Sequence, residues 1–246
     1  LDARTAIAQP PAMDFTLSPQ DWTVIGLSLK VSLVAVAVML PIAFALAWIL
    51  ARWRFPGKLL LDALVHLPLV VPPVVTGWLL LLLFGINGPI GSRLDQWFGV
   101  TLLFRWTGAA LAAAIMAMPL MVRAMRLSIE SVDRRLEQAA QTLGASPLRR
   151  FLSISLPLSL PGIFAGAMLG FARSIGEFGA TITFVSDIPG ETRTLPIAIY
   201  AALQVPGAEA AVSRFAIISV LLSLGALLIS ELLARRATQG RMPHVL

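Results

Sequence analysis

The chain of 246 residues has no cysteine, two histidines, one tyrosine and little charge, with Asp, Glu, Lys and Arg making up 13%. Without cysteine there is no disulfide, no thiol nucleophile and no cysteine-ligated metal, and the redox compartment stays open. His66 and His244 are the only imidazoles, no H-E-x-x-H occurs, and no acid pair sits at useful helical spacing inside an apolar run. Metallohydrolase and aspartyl protease readings lack the residues they need, so no catalytic or metal-ligating set is assigned. No G-x-x-x-x-G-K-[ST] loop is present to cradle phosphates. The first 20 residues lack the basic stretch and apolar run of a cleavable signal peptide, and read as a loose polar extension.

What is abundant is apolar surface. Hydrophobic residues make up 57% of the chain and the mean hydropathy is +0.83, well above a soluble domain's roughly 45–50% apolar content. A bilayer core about 30 Å thick needs roughly 20 apolar helical residues. Val31 to Ala51 and Leu67 to Asn87 are two such runs. Further runs lie between Arg105 and Arg123, between Arg150 and Arg173, and from Phe215 to Ala234, broken only by Glu231. The expectation is an all-α, polytopic membrane bundle of five transmembrane helices spanning residues 21–237, with a tail at 238–246.

Charge gives an orientation. Of the 19 basic residues, 12 fall after runs one, three and five, including Arg52, Arg54, Arg123, Arg126, Arg149, Arg150, Arg235 and Arg236. By the positive-inside rule the N-terminus is expected outside and the C-terminus in the cytoplasm. That rule also accounts for the pI of about 11.2 without nucleic acid.

The charged segment "RRLEQAAQTLGASPLRRFLSISLP", Arg134 to Pro157, is then cytoplasmic, within a loop at about 127–152. Leu136, Ala139, Ala140 and Leu143 recur at i, i+3, i+4, i+7 and form one stripe of a short helix. Gly144 is a C-cap candidate, and Ser146 with Pro147 starts a second turn. On spacing alone this fits either an amphipathic helix on the membrane or a docking element. Its small alanines favour close approach by another protein's backbone.

The same residues carry a resemblance to the EAA loop of ABC importer permeases. Ala139, Ala140, Gly144, Ile154, Leu156 and Pro157 match that signature at its spacings. Gln138 stands where the signature has its acid, with Glu137 one residue earlier. The resemblance implies the type I importer permease fold, and it implies that Glu137, Gln138, Ala139, Ala140, Leu143 and Gly144 belong to an ATPase-coupling loop, together with Ile154, Leu156 and Pro157. "FARSIGEFGATITFVSDIPGETRTLPIAIY", Phe171 to Tyr200, with "FPGK" and "HLPLVVPPVV", resembles the molybdate and sulfate branch, nearer to molybdate.

That branch implies a homodimer in the cytoplasmic (inner) membrane with two ABC ATPase subunits beneath it and a periplasmic or extracellular molybdate-binding protein above. ATP and Mg would sit on the partner ATPase and no cofactor in this chain. Sulfate, thiosulfate or tungstate is the alternative cargo.

Two further sets are candidate pathway or gate residues. Arg173 and Glu177, spaced for an i, i+4 pair, are either an interfacial ion pair closing a helix end or part of an outer gate. Gly176, Phe178 and Gly179 surround Glu177, and the glycines suit tight packing or a hinge. Pro72 and Pro73 interrupt run two, where freed backbone dipoles can hold an anion or the prolines merely curve the span. Lone His66 reads as an interfacial or hydrogen-bonded side chain. After Gly179 the chain could extend span four, re-enter, or cross a sixth time.

Overall fold

The computed structural model describes residues 17–239, so most of the expected extension and tail lie outside the described residues. Among the described residues every regular element is helical. Helix α1 (Pro19–Arg52) begins well before the apolar run at Val31, because Ser18 and Asp21 cap it reciprocally. The Ser18 hydroxyl accepts the Asp21 N–H at 3.2 Å and the Asp21 carboxylate accepts the Ser18 N–H at 2.8 Å. Lys30, at the edge of the apolar stretch, lies 3.7 Å over the Trp106 ring.

The second expected span is not one rod. It divides into α2 (Lys58–Val70) and α3 (Pro73–Phe84), bent by 116° at the break. Pro72 and Pro73 supply no N–H to the ladder, and Val71 before them is pushed into extended backbone, φ −75° and ψ 136°. A short amphipathic helix, α4 (Gly91–Phe98), precedes α5 (Trp106–Glu130). Helix α5 passes the expected loop start at 127, since Arg126 and Glu130 pair across its last turn at 2.8 Å.

Next come α6 (Arg134–Thr142) and α7 (Pro147–Arg150). Helix α7 is no separate turn: it runs through a π-helical turn at Phe151–Ser155 into α8 (Leu156–Ile175). The π turn sits where Pro157, lacking an N–H, cannot close a regular turn, and Leu156 N–H bonds to the Phe151 carbonyl instead. Short helices α9 (Gly179–Val185) and α10 (Leu195–Leu203) follow, then α11 (Glu209–Gln239). At about 1.5 Å per residue neither α9 nor α10 crosses a bilayer, so among the described residues there is no sixth pass. The candidate spans are α1, α5, the α7–α8 rod and α11, with α2–α3 as a broken fifth.

Helices α1, α5 and α8 form the core. Lipid tails are as apolar as leucine, so close packing holds these helices together. Ala109, Ala110, Ala112, Ala113, Ala114 and Ala117 of α5 are buried, facing buried Ala35, Ala43 and Ala47 of α1 in one cluster. On α8, Gly162, Gly166 and Gly170 recur every four residues against Ser128, Met125 and Met121 of α5. A Cβ at Gly170 would stand 2.6 Å from the Met121 sulfur, and one at Gly162 would overlap Ser128. Helix α10 is tied to α1 through Ser28, whose hydroxyl accepts the Leu195 N–H at 2.7 Å and donates to the Val24 carbonyl at 2.8 Å.

Candidate functional site

Helix α6 lies at the end of the bundle where α1 and α5 finish and the α7–α8 rod begins. Asp133 caps it, accepting the Arg135 N–H at 2.9 Å. Gly144, at φ +81°, ends it in a Schellman arrangement. The Gly144 N–H reaches the Gln141 carbonyl and the Ala145 N–H the Ala140 carbonyl, each at 3.0 Å. The Ser146 hydroxyl then accepts the Arg149 N–H at 3.3 Å, with Pro147 at the first helical position.

The helix is inside out relative to a core helix. Its polar Glu137 turns toward the bundle and binds Arg52 of α1, while the exposed Gln141 accepts through Oε1 from Arg150 Nη1 of α7 at 2.8 Å. Its apolar stripe faces away, with Leu136 49% and Leu143 87% exposed. Ala139 and Gln138 are exposed and Ala140 half-buried beside them. Ile154 lies in the π turn, with Leu156 and Pro157 opening α8, all half-buried. These nine expected residues are therefore brought together on one corner of the molecule, with Glu137 and Gln138 pointing to different surroundings.

The second candidate set sits at the other end of α8. Glu177 is only 3% exposed and uses both carboxylate oxygens: Oε2 meets Arg173 Nη1 at 2.6 Å, and Oε1 accepts the Ala180 N–H at 2.9 Å in the first turn of α9. Arg173 and Glu177 thus join α8 to α9. Phe178 packs on Tyr200 of α10 with ring centroids 5.0 Å apart.

The two glycines differ. A Cβ on Gly179 would be 2.8 Å from Pro73 Cβ, whereas at Gly176 the nearest atom is 3.9 Å away. Gly179 is a packing glycine at the α2–α3 break, and Gly77 repeats the pattern against the Ala180 carbonyl at 2.5 Å. Pro73 and Gly179 therefore form one contact, with Pro72 beside it at the break, Arg173 near the end of α8 and Glu177 in the link to α9.

Several residues escape a reading of the sequence. The four-residue spacing of Gly162, Gly166 and Gly170 was there to be seen, as was the Ser18–Asp21 capping box. Arg52, Ser155 and Gly77 carried no local signal. Nor did the cluster in which Asp62 of α2 meets Arg126 of α5 at 3.1 Å, with His66 Nδ1 2.8 Å from the Asp62 carbonyl.

A broken span, glycine-packed long helices and an outward-facing helix between the third and fourth long elements define a type I ABC importer permease fold. Consistently, the structure of a bacterial ABC transporter importing the acidic polysaccharide alginate matches 89% of this chain and 80% of its own with a TM-score of 0.70 at 19% identity. The chain belongs to the family of binding-protein-dependent transport system inner membrane components, whose sequence profile matches residues 20–239.

Within it, the molybdenum transport system permease protein ModB of Escherichia coli (strain K12) is 59% identical over 227 residues, 92% of this chain and 99% of that protein. The sulfate transport system permease protein CysT of Salmonella typhimurium is 40% identical, over 80% of this chain and 69% of its own. The chain is a permease subunit and not an enzyme.

Proposed function

We propose that this chain is the membrane-spanning subunit of an ATP-driven molybdate importer that works by alternating access. Identity with the molybdate permease is higher and covers more of both proteins than with the sulfate one, which supports molybdate over sulfate. The observation that carries the ATPase partnership is the reversed polarity of α6. A helix that sends its carboxylate toward its own bundle and exposes leucine has its apolar stripe available for another protein. The occupant is a separate ATPase subunit, holding ATP and Mg, with two such subunits serving a homodimer of this chain. The α6 end is cytoplasmic, the N-terminus outside, and a soluble oxyanion-binding protein delivers cargo to the opposite face.

The contact of Pro73 with Gly179, next to Pro72, lies where the broken pair meets α9, and there we place the gate. Arg173 is neutralised by Glu177, so the gate offers a dianion no strong trap, as rapid release requires. Reconstitution with the ATPase and binding protein tests the reading. Molybdate uptake driven by ATP is expected, and Gly144→Val, which forces a branched side chain into φ +81°, is expected to abolish uptake and ATPase co-purification. Uptake of sulfate but not molybdate, or normal uptake in Gly144→Val, would contradict it.

A further inference from the structure

We infer that Glu137 is a positioning residue that works inward, fastening the coupling helix to two core helices at once, and that it takes no part in gripping the ATPase. This inference rests on the docking reading above. One carboxylate oxygen of Glu137 accepts from Arg52 Nη2 at 2.9 Å and from the Ser155 hydroxyl at 2.6 Å. Arg52 is the last residue of α1, and Ser155 the last of the π turn that opens α8. Three elements 85 and 18 residues apart in sequence thus meet at one atom.

The surroundings hold the node in place. Arg52 lies over the Trp48 ring at 5.4 Å, and that ring meets Phe151 edge-on at 4.9 Å, so α1 and the π turn are also stacked beside the ion pair. Ser155 is buried, and its carbonyl accepts the hydroxyl of buried Ser159 at 2.7 Å. The π turn matters here because its wider winding changes the register of Phe151 and Ser155 relative to an uninterrupted α-helix.

Charge-assisted bonds to a partly buried carboxylate are about twice as strong as neutral ones, and they fix direction as well as distance. A push on the outer stripe of α6 has two routes. It can flex the joints at Asp133 and Gly144, or it can pass through Glu137 into α1 and α8. The node supplies the stiff route. Gln138, exposed on the next position of the helix, is free to face the partner.

The test uses the reconstituted complex of this chain, ATPase and binding protein, reading ATPase co-purification, ATP hydrolysis and molybdate moved per ATP. Glu137→Ala is expected to leave co-purification and hydrolysis in place while molybdate moved per ATP falls roughly two- to thirtyfold, the range for a broken coupling contact. Arg52→Glu should do the same, and the R52E/E137R double variant should recover part of the ratio. If Glu137→Ala assembles poorly, Glu137→Gln, which keeps shape and loses charge, should lower the ratio in the same direction. Because the chain has no cysteine, R52C/E137C joined by a bismaleimide is a clean second check and should restore coupling. A ratio within about twofold of the parent in all these variants would overturn the inference, given the coupling range expected. So would loss of the ATPase from Glu137→Ala, which would make Glu137 a docking residue. Retention of the ATPase by Gly144→Val would instead overturn the docking reading itself.

Discussion

Helices α5 and α8 touch along a line of glycines, while α2 and α3 bury little against their own chain. On α8, Gly162 admits Ser128 with no room for a methyl group, and Gly166 and Gly170 sit tightly against Met125 and Met121. On α2 only Val65 and Pro68 are buried, and on α3 only Thr76, Gly77 and Leu80. The first contact is a rigid strut, since close-packed helices have few alternative arrangements. The second is a broken pair anchored at two tight glycine contacts with α9, at Gly179 and Gly77, and at the Asp62–Arg126 ion pair, leaving much of its surface to lipid or other protein. Movement is expected in the loosely held pair and transmission in the glycine-packed one.

The largest effect on this contrast is expected from Gly162→Leu. A side chain there overlaps Ser128, and the cost lies at or above the top of the roughly 1–3 kcal/mol typical of overpacking. Thermal unfolding in detergent should show a lower midpoint or no assembled protein at all. Gly179→Ala is next: its methyl meets Pro73 at 2.8 Å, and about 1–2 kcal/mol is expected, with α3 displaced from α9. Molybdate uptake should fall more than stability does. Gly176→Ala is the smallest, within about 0.5 kcal/mol, since no atom lies closer than 3.9 Å. Equal effects from the last two would erase the distinction between packing glycine and spacer.

Part of this was legible in the residues alone. The apolar runs located the spans, and Gly144, Ser146 and Pro147 announced the bend between α6 and α7 because caps and turns are local chemistry. The Arg173–Glu177 pair was legible for the same reason, its partners being one helical turn apart. The prolines at 72 and 73 signalled an interruption, but its 116° angle depends on what α3 packs against. Glu137 remained ambiguous because its partners lie far away in sequence, and no periodicity within α6 tells whether a carboxylate faces its bundle or a neighbour. The glycine line on α8 had a visible period, yet its meaning required knowing that methionines of α5 fill it.

The most direct test of the account concerns the outward stripe of α6. In a Leu143→Cys variant, the single thiol of an otherwise cysteine-free chain can carry a photo-activated cross-linker at a position 87% exposed in the isolated chain. In the assembled transporter the account predicts that this probe attaches to the ATPase subunit. Attachment only to lipid, or to nothing, would contradict it.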